Sequence, residues 1–412
     1  MYARNLTKNI TDALGDTPVV LLNGARQTGK STLVQWICNN QHPAQYATLD
    51  DVSVLSAAQT DPAGFLAGFS GPLVIDEIQR VPELFLALKA QVDKDRSPGR
   101  FLLTGSANVL VLPKLADTLT RRMEILSLWP FSQGEIQSHQ ETFVDAIFSP
   151  ECPQPQKVAE ARDSLFQSIL SGGFPEVIQR TTEARRKAWF NAYIATILQR
   201  DIRDLSRIEG LASIPRLLSL LAIRSGHLLN FSEISRTSGL PQATLKRYMA
   251  LLEATFLIKL LPPWSANLSK RLVKSPKIFI TDTGLLGYLI GMDKNRLSSE
   301  PELAGPLLEN FVVMELLKQI SWSQTQPQMF HFRTQVGGKE VDIVLEDAAG
   351  RIVGIEIKAA HTVKAGDLSG LKLLAKETKD RFVRGIVLYT GSQFVPFGNN
   401  LTAMPISTLW RL

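Results

Sequence analysis

Residues 24–31, Gly-Ala-Arg-Gln-Thr-Gly-Lys-Ser, constrain this chain more than any other segment. The apolar residues 18–22 before them predict a buried strand, and residues 32–37 after them predict a helix. A glycine-rich loop between a strand and a helix turns backbone N–H groups toward phosphate oxygens, and the helix N-terminus adds positive dipole. The segment therefore predicts a P-loop at the edge of a parallel α/β sheet.

The loop predicts a site for two cofactors, ATP and Mg²⁺. The Lys30 ammonium is expected to neutralise the β- and γ-phosphates, and the Ser31 hydroxyl is expected to bind the metal ion. Contacts with ATP are predicted for Gly24, Ala25, Arg26, Gln27, Thr28, Gly29, Lys30, Ser31 and Thr32.

A second apolar strand, residues 72–75, leads into two acidic residues, Asp76 and Glu77. Open α/β sheets bind ligands at the carboxyl ends of their strands, so both carboxylates are expected near the P-loop. Asp76 is predicted to bind Mg²⁺ through water, and Glu77 is predicted to polarise the attacking water. The pair therefore indicates a hydrolase as well as a nucleotide-binding protein.

Polar and basic residues follow the third predicted strand, residues 99–106. An arginine in the pair Arg121 and Arg122 could reach a neighbouring subunit's nucleotide and stabilise transition-state charge, and Arg122 is favoured. Three side chains could sense the γ-phosphate, with Ser106 as the catalytic candidate: Thr104, Ser106 and Asn108.

Charge is distributed unevenly along the 412 residues, whose net charge is +6. Residues 185–277 carry 16 Lys/Arg and 5 Asp/Glu, a net of +11, whereas residues 1–184 carry −5 and residues 278–412 are neutral. A basic segment of this kind is typical of a nucleic-acid contact. The chain has no apolar run long enough to span a membrane, and its two cysteines have no zinc spacing, so a cytoplasmic protein is expected.

The basic segment contains a winged-helix pattern. Residues 230–238 predict a first helix, residues 239–241 a turn, and residues 242–252 the helix that enters a major groove in DNA-binding versions. A wing strand is expected from residue 258. Four basic residues flank the return of the wing: Lys270, Arg271, Lys274 and Lys277. DNA contacts are predicted for Gln242, Thr244, Lys246, Arg247, Lys270, Arg271 and Lys274.

The carboxyl-terminal third carries a second group of charged residues. Asp342 lies on one predicted strand, and Glu356 and Lys358 share one face of the next strand. A three-residue loop at residues 348–350, with its glycine in the left-handed conformation, would set Asp342 opposite Glu356. A five-residue loop would also keep them on one face, whereas a two-residue loop would separate them.

These residues suit metal-dependent cleavage of a phosphodiester. Asp342 and Glu356, with Glu309 from a preceding helix, are predicted metal ligands, because hard carboxylate oxygens hold Mg²⁺. The metal would activate water, and Lys358 would position the nucleophile or offset developing charge.

The motifs together resemble a prokaryotic family of AAA-type ATPases that carry a C-terminal domain of unknown function similar to PD-(D/E)XK nucleases. The resemblance covers nearly the whole chain and rests on residues 24–31, 75–84, 103–106, 172–176, 199–205, 281–286, 339–342 and 356–358. This chain has Arg121 where the family usually has glycine before its arginine.

The resemblance implies an α/β fold in four parts. These are an ATPase core with helices on both faces of a parallel sheet (1–136), a helical lid or linker (137–225), a winged helix (226–290) and an α/β restriction-endonuclease-like domain (291–412). Residues 137–160 are expected to form a loop or linker, because they are polar and rich in proline.

Two functions remain open at this stage. The first is a DNA-binding motor, a homo-oligomer and specifically a hexameric ring, that acts on branched or structured DNA such as Holliday junctions and carries a metal-dependent nuclease-like domain. The second is an ATP-dependent signalling switch in which the winged helix and nuclease-like domain bind protein or grip DNA without cutting it.

Overall fold

The computed structural model describes residues 2–106, 122–151, 154, 162–202, 211–267, 271, 275–334, 338–398 and 400–412. In its amino-terminal part the elements are α1 (Thr7–Asp16), β1 (Val19–Asn23), α2 (Lys30–Asn40), β2 (Gln45–Thr48), α3 (Val52–Thr60), α4 (Pro62–Ala67), β3 (Leu73–Asp76), α5 (Leu84–Lys94), β4 (Phe101–Gly105) and β5 (Met123–Ser127).

The five strands form one sheet in the order β2-β3-β4-β1-β5, and all neighbours run parallel. Side chains of β1 alternate between two apolar cores, with Val19 and Leu21 on one face and Val20 and Leu22 on the other. This confirms the predicted parallel sheet with helices on both faces. Because β4 separates β1 from β3, the P-loop and Asp76 face each other across the end of β4.

Helix α1 precedes β1 and was not among the elements that the sequence predicted. Leu6, Ile10, Ala13 and Leu14 recur at helical spacing, and all four are buried in the same core as Val20 and Leu22. The short apolar stripe therefore folds because the sheet supplies a surface for it.

The middle of the chain is helical, and part of the predicted linker is folded. Phe143, Val144, Ile147 and Phe148, within the segment expected to be a loop, form a buried helical face. The helices are α6 (Gln133–Gln137), α7 (Phe143–Phe148), α8 (Arg162–Ser171), α9 (Pro175–Ile178), α10 (Glu183–Thr196, continued as a π-helical turn Ile197–Asp201) and α11 (Ile214–Ile223).

A helix–turn–helix and a two-stranded wing follow α11. The Asn230 side chain caps α12 (Phe231–Ser238) by accepting from Glu233 N at 3.1 Å, and Gly239 ends that helix in the left-handed conformation. The chain continues through α13 (Gln242–Ala254), β6 (Ile258–Leu261), β7 (Lys277–Ile280), α14 (Thr283–Leu289) and α15 (Lys294–Ser299). Strands β6 and β7 pair antiparallel, as the winged-helix pattern predicts.

The carboxyl-terminal part is a mixed α/β unit. Its six strands are ordered β12-β13-β11-β10-β9-β8, with β10, β11 and β13 parallel and the outer pairs antiparallel. The elements are α16 (Ala304–Ile320), β8 (Gln328–Arg333), β9 (Glu340–Glu346), β10 (Ile352–Lys358), α17 (Ser369–Thr378), β11 (Phe382–Tyr389), β12 (Val395–Pro396) and β13 (Leu401–Pro405).

The hairpin between β9 and β10 has the predicted register. Asp347 N donates to Arg351 O at 3.1 Å, and Gly350 has a φ of +78°. Ile352 pairs with Glu346 and Ile355 with Ile343, so continuation of the ladder puts Asp342 opposite Glu356. The three-residue loop is therefore confirmed.

One continuous apolar core joins the middle helices, the winged helix and the C-terminal sheet, with members from Ala25 of the P-loop to Trp410. The predicted boundaries near residues 225 and 290 therefore do not separate independent cores. No helix in the described ranges combines the length and apolarity needed to cross a membrane.

Candidate functional site

The P-loop connects β1 to α2 and is shaped by unusual backbone angles. Gly24 and Gly29 have φ values of +150° and +92°, and Gln27 also has a positive φ. A Cβ on Gly24 would overlap the Leu128 carbonyl oxygen, so this position requires glycine.

Lys30 begins α2 and is buried against the loop. Its ammonium donates to the carbonyl oxygens of Gly24 and Ala25 at 3.0 and 2.9 Å. Burial lowers the pKa of Lys30 to about 8, a shift opposed by the carboxylates of Glu77 and Asp76. The side chain is therefore mainly cationic at pH 7, the form that both carboxylate charges favour.

Three hydroxyl groups contact the Asp76 carboxylate. Ser31 Oγ donates to both carboxylate oxygens at 3.0 Å, Tyr46 OH donates to Oδ2 at 2.9 Å, and Thr104 Oγ1 donates to Oδ1. Burial and the neighbouring Asp76 charge raise the pKa of Tyr46, which keeps its phenol protonated. The Ser31 hydroxyl and Asp76 carboxylate form an all-oxygen pair, the donor chemistry that Mg²⁺ prefers, so these residues fit a nucleotide-bound Mg²⁺.

Glu77 follows β3 in the left-handed conformation, with a φ of +61°. Its backbone N–H donates to Thr104 Oγ1 at 3.0 Å, which ties the ends of β3 and β4 together. The Gln79 amide contacts Glu77 Oε2 and donates to Ser106 Oγ at 2.8 Å. Gln79 was absent from the predicted site residues, although it lies within the motif at residues 75–84, and it links the predicted water-polarising residue to the predicted phosphate sensor.

The lid contacts the P-loop through a second unpredicted residue, Asp201. Arg26 Nη1 donates to Asp201 Oδ1 at 2.7 Å, at the end of the π-helical turn. Burial raises the pKa of Asp201 to about 6, and the Arg26 charge opposes that rise. The signal for Asp201 was its place in the 199–205 motif, which had no assigned role.

Arg4 anchors the P-loop from the opposite side and was also missed. Its guanidinium donates to Thr28 O at 3.0 Å, to Trp129 O at 2.6 Å and to Glu135 Oε1 at 3.0 Å. The side chains of Arg4 and Glu135 are only 5% and 1% exposed. No periodic pattern marks such a residue, because its partners are far away in sequence.

Arg122 lies far from its own subunit's P-loop. It precedes Met123, which pairs with Val19 at the start of β1, whereas the P-loop follows the end of β1. Arg122 Nε donates to Asp93 Oδ1 at 2.6 Å. The alternative arginine, Arg121, and the candidate Asn108 lie outside the described residues.

The predicted nuclease-like residues are brought together, but with an additional cation. Asp342 Oδ2 accepts from Ile357 N at 2.8 Å, and Lys358 Nζ donates to Glu356 Oε1 at 2.8 Å. Burial and the nearby Asp342 charge raise the pKa of Glu356, whereas burial of Lys358 is outweighed by Glu356 and Asp342, which raise its pKa. Glu309 lies on α16 and faces the same cluster.

The additional cation is Lys277, from the second wing strand. Its Nζ lies 2.7 Å from Glu309 Oε1, 2.5 Å from Glu340 Oε1 and 3.7 Å from Asp342 Oδ1. No group of three or more His, Cys, Asp or Glu side chains within the described ranges is arranged to hold a metal ion. The predicted metal set of Glu309, Asp342 and Glu356 therefore does not fit a metal in this conformation, because an ammonium lies among the carboxylates.

The predicted DNA contacts divide into two groups. Gln242, Lys246 and Arg247 are exposed on α13, and Thr244 beside them is partly buried. Lys246 Nζ lies 5.7 Å from the centre of the Phe231 ring. This face of α13 is therefore solvent-exposed among the described residues.

The basic residues of the wing are positioned differently. The guanidinium of Arg271 pairs with Glu346 at 2.6 Å and lies 4.8 Å from the Phe330 ring centre, and its contact with DNA stays a prediction. Lys277 is also internal, with 3% of its surface exposed. Lys270 and Lys274 lie outside the described residues.

Family comparisons agree with the amino-terminal site. Residues 16–137 match the AAA domain, residues 162–296 match a domain of unknown function (DUF8612), and residues 304–409 match another (DUF4143). The sheet, P-loop and acidic strand end define the class: this is an AAA-type P-loop ATPase. The predicted winged helix and the predicted lid from residue 162 onward fall within the single match to residues 162–296.

Relatives span the full architecture. The uncharacterized protein Rv2008c of Mycobacterium tuberculosis is 32% identical over 405 residues, which cover 98% of this chain and 83% of that protein. The uncharacterized protein MJ1544 of Methanocaldococcus jannaschii is 21% identical and covers 95% and 87% of the two chains. The chain therefore belongs to the family of Rv2008c, with an AAA domain and a carboxyl-terminal DUF4143.

A solved structure is a more distant match. The Thermotoga maritima RuvB Holliday junction branch migration motor is 20% identical, with a TM-score of 0.31. The aligned region covers 63% of this chain and 90% of that chain. Nothing about the substrate of the present protein follows from so low a score.

Proposed function

We propose that this AAA-type ATPase couples ATP hydrolysis to movement of its middle segment on DNA. The observation that carries the proposal is the exposed face of α13, which presents Gln242, Lys246 and Arg247 from a segment with a net charge of +11. Phosphate neutralisation by Lys and Arg supplies most of the affinity of such contacts.

The proposed ATP cycle uses the residues around the P-loop. Lys30 and the loop N–H groups would hold the phosphates, and Ser31 and Asp76 would hold Mg²⁺, which would offset charge on the transferring phosphoryl group. Glu77 would orient the attacking water. Gln79 would couple the position of the Glu77 carboxylate to that of Ser106, the proposed sensor of the γ-phosphate. The hydrogen bonds from Gln79 to both residues support this coupling.

The proposal includes an oligomer, with a hexameric ring as the working assembly. Arg122 lies at the edge of the sheet, away from its own P-loop, so it could instead reach the nucleotide of a neighbouring subunit. Its present partner, Asp93, would release it when the subunits close. Arg122→Ala should then lower ATP turnover while leaving ATP affinity unchanged, measured by steady-state hydrolysis and fluorescent-nucleotide titration.

The experiment that tests DNA action measures ATP hydrolysis without DNA, with duplex and with four-way-junction DNA. In a variant without the charges of Lys246 and Arg247, DNA should no longer stimulate ATP hydrolysis. The slope of log binding constant against log salt concentration should also fall by about 2 in magnitude. The matched control is Lys372→Ala with Lys376→Ala, two exposed cations on α17. Stimulation selective for the junction would extend the proposal to branched DNA, and ATPase activity indifferent to every DNA would refute it.

The second candidate is a signalling switch, and the wing favours it. Arg271 and Lys277 of the wing make internal contacts, so among the predicted DNA contacts that the structure describes, the solvent-exposed cations are Lys246 and Arg247 of α13. In this function the winged helix binds protein and the C-terminal domain serves as a docking module without cleavage. Unchanged ATP turnover with all DNAs and no DNA binding at low salt would support it.

A further inference from the structure

Lys277 is held firmly where the wing meets the C-terminal sheet. Its backbone pairs with Leu261 of β6 and makes an isolated bridge to Leu228, so backbone pairing on both sides positions it. Its side chain is 4% exposed and points into the carboxylates of Glu309, Glu340 and Asp342. These acids come from α16 and from one face of β9.

The three carboxylates around this ammonium favour its charged form. Burial alone would lower the pKa of Lys277, but Glu309, Asp342 and Glu340 raise it above its ordinary value. A buried ammonium is costly unless it is paired and hydrogen-bonded, and here two carboxylate oxygens lie within hydrogen-bond distance. The same oxygens are the ligand type that divalent cations require.

One atom next to this cluster has no partner. Glu356 Oε2 is buried and accepts no hydrogen bond from the described part of the chain, although Oε1 binds Lys358. A buried carboxylate oxygen without a hydrogen-bond partner can bind a cation that comes close to it.

We propose that Lys277 is the resident cation of the Glu309, Glu340 and Asp342 cluster, excluding divalent metal from it and locking the wing to the C-terminal sheet. In this state the domain is not a metal-dependent nuclease. A divalent ion binds at Asp342, Glu356 and Glu309 only when the ammonium is removed. The lock also accounts for a wing lysine that faces inward from a basic segment.

The test is Mn²⁺ binding to the full-length protein without nucleotide, followed by electron paramagnetic resonance and by thermal unfolding. Lys277→Met keeps an unbranched side chain, one heavy atom shorter than lysine, and removes the ammonium charge. We expect this variant to bind Mn²⁺ at least about tenfold more tightly than the wild type and to regain lost thermal stability when Mn²⁺ is added. Lys259→Met, on the neighbouring wing strand β6, should behave like the wild type.

A second substitution separates this site from the P-loop. Lys277→Met combined with Asp342→Asn should lose the new Mn²⁺ site, while ATP turnover remains as in Lys277→Met. Folded Lys277→Met with no gain in Mn²⁺ affinity would overturn the proposal. If that variant does not fold, wild type and Asp342→Asn decide: equal Mn²⁺ binding supports the lock, and a wild-type site lost in Asp342→Asn overturns it. The results that support the lock and those that overturn it do not depend on whether DNA stimulates ATP hydrolysis.

Discussion

Replacing Arg4 with methionine should strongly destabilise the ATPase domain. The substitution leaves the Glu135 carboxylate buried without its 3.0 Å partner and removes the donors to Thr28 O and Trp129 O. It also removes the guanidinium that lies 4.5 Å from the Phe131 ring centre. Because breaking a buried ion pair by removing one partner costs about 3–5 kcal/mol, Arg4→Met should lose that much of the free energy of unfolding.

Thermal unfolding followed by tryptophan fluorescence measures this loss. A change of that size should lower Tm by on the order of 10 °C. ATP affinity should fall as well, because Thr28 O belongs to the P-loop backbone, and fluorescent-nucleotide titration would detect it. The matched control is Lys8→Met on α1, whose pair with Asp12 is 3.8 Å long and has side chains 75% and 68% exposed, so little change is expected.

A double substitution tests the reason for the loss. If the stranded carboxylate causes most of the damage, Arg4→Met with Glu135→Gln should be more stable than Arg4→Met alone, because the amide carries no charge. The reasoning is refuted if Arg4→Met melts within about 2 °C of Lys8→Met, or if Glu135→Gln in that background gives no recovery.

Three further predictions concern hydrolysis, pH and packing. Glu77→Gln should reduce ATP turnover by about 10²-fold or more while ATP still binds, whereas exposed Glu83→Gln should leave turnover unchanged, as steady-state kinetics would show. Burial and the neighbouring Glu315 charge raise the pKa of Glu141 in the folded protein from 4.5 to about 8. Between about pH 4.5 and 8 the carboxyl therefore ionises in the unfolded chain but not in the folded one, so the free energy of unfolding falls as pH rises. Glu141→Gln should flatten that decline in Tm, with Glu377→Gln as an exposed control, and an unchanged pH profile would contradict it. Gly173→Ala should cost a few kcal/mol, because its Cβ would overlap the Phe131 carbonyl oxygen, whereas Gly366→Ala has open space; equal denaturant midpoints would count against this packing.

Local patterns in the sequence determined a large part of this protein. The P-loop segment required a strand, a glycine turn and a helix in order, and the structure has β1, Gly24 to Gly29 and α2. The turn at Gly350 fixed the register that puts Asp342 opposite Glu356. These predictions hold because periodicity, glycine conformation and turn length act between residues that are near in sequence.

Only the tertiary structure decided which charges meet. Arg4 and Glu135 are 131 residues apart, and Arg26 and Asp201 are 175 apart, so no spacing rule joins them. Lys277 lies in a basic segment and flanks the return of the wing, yet pairing of β6 with β7 turns it toward α16 and β9. A buried charge takes the partners that packing brings within a few ångströms, and that packing is a property of the whole fold.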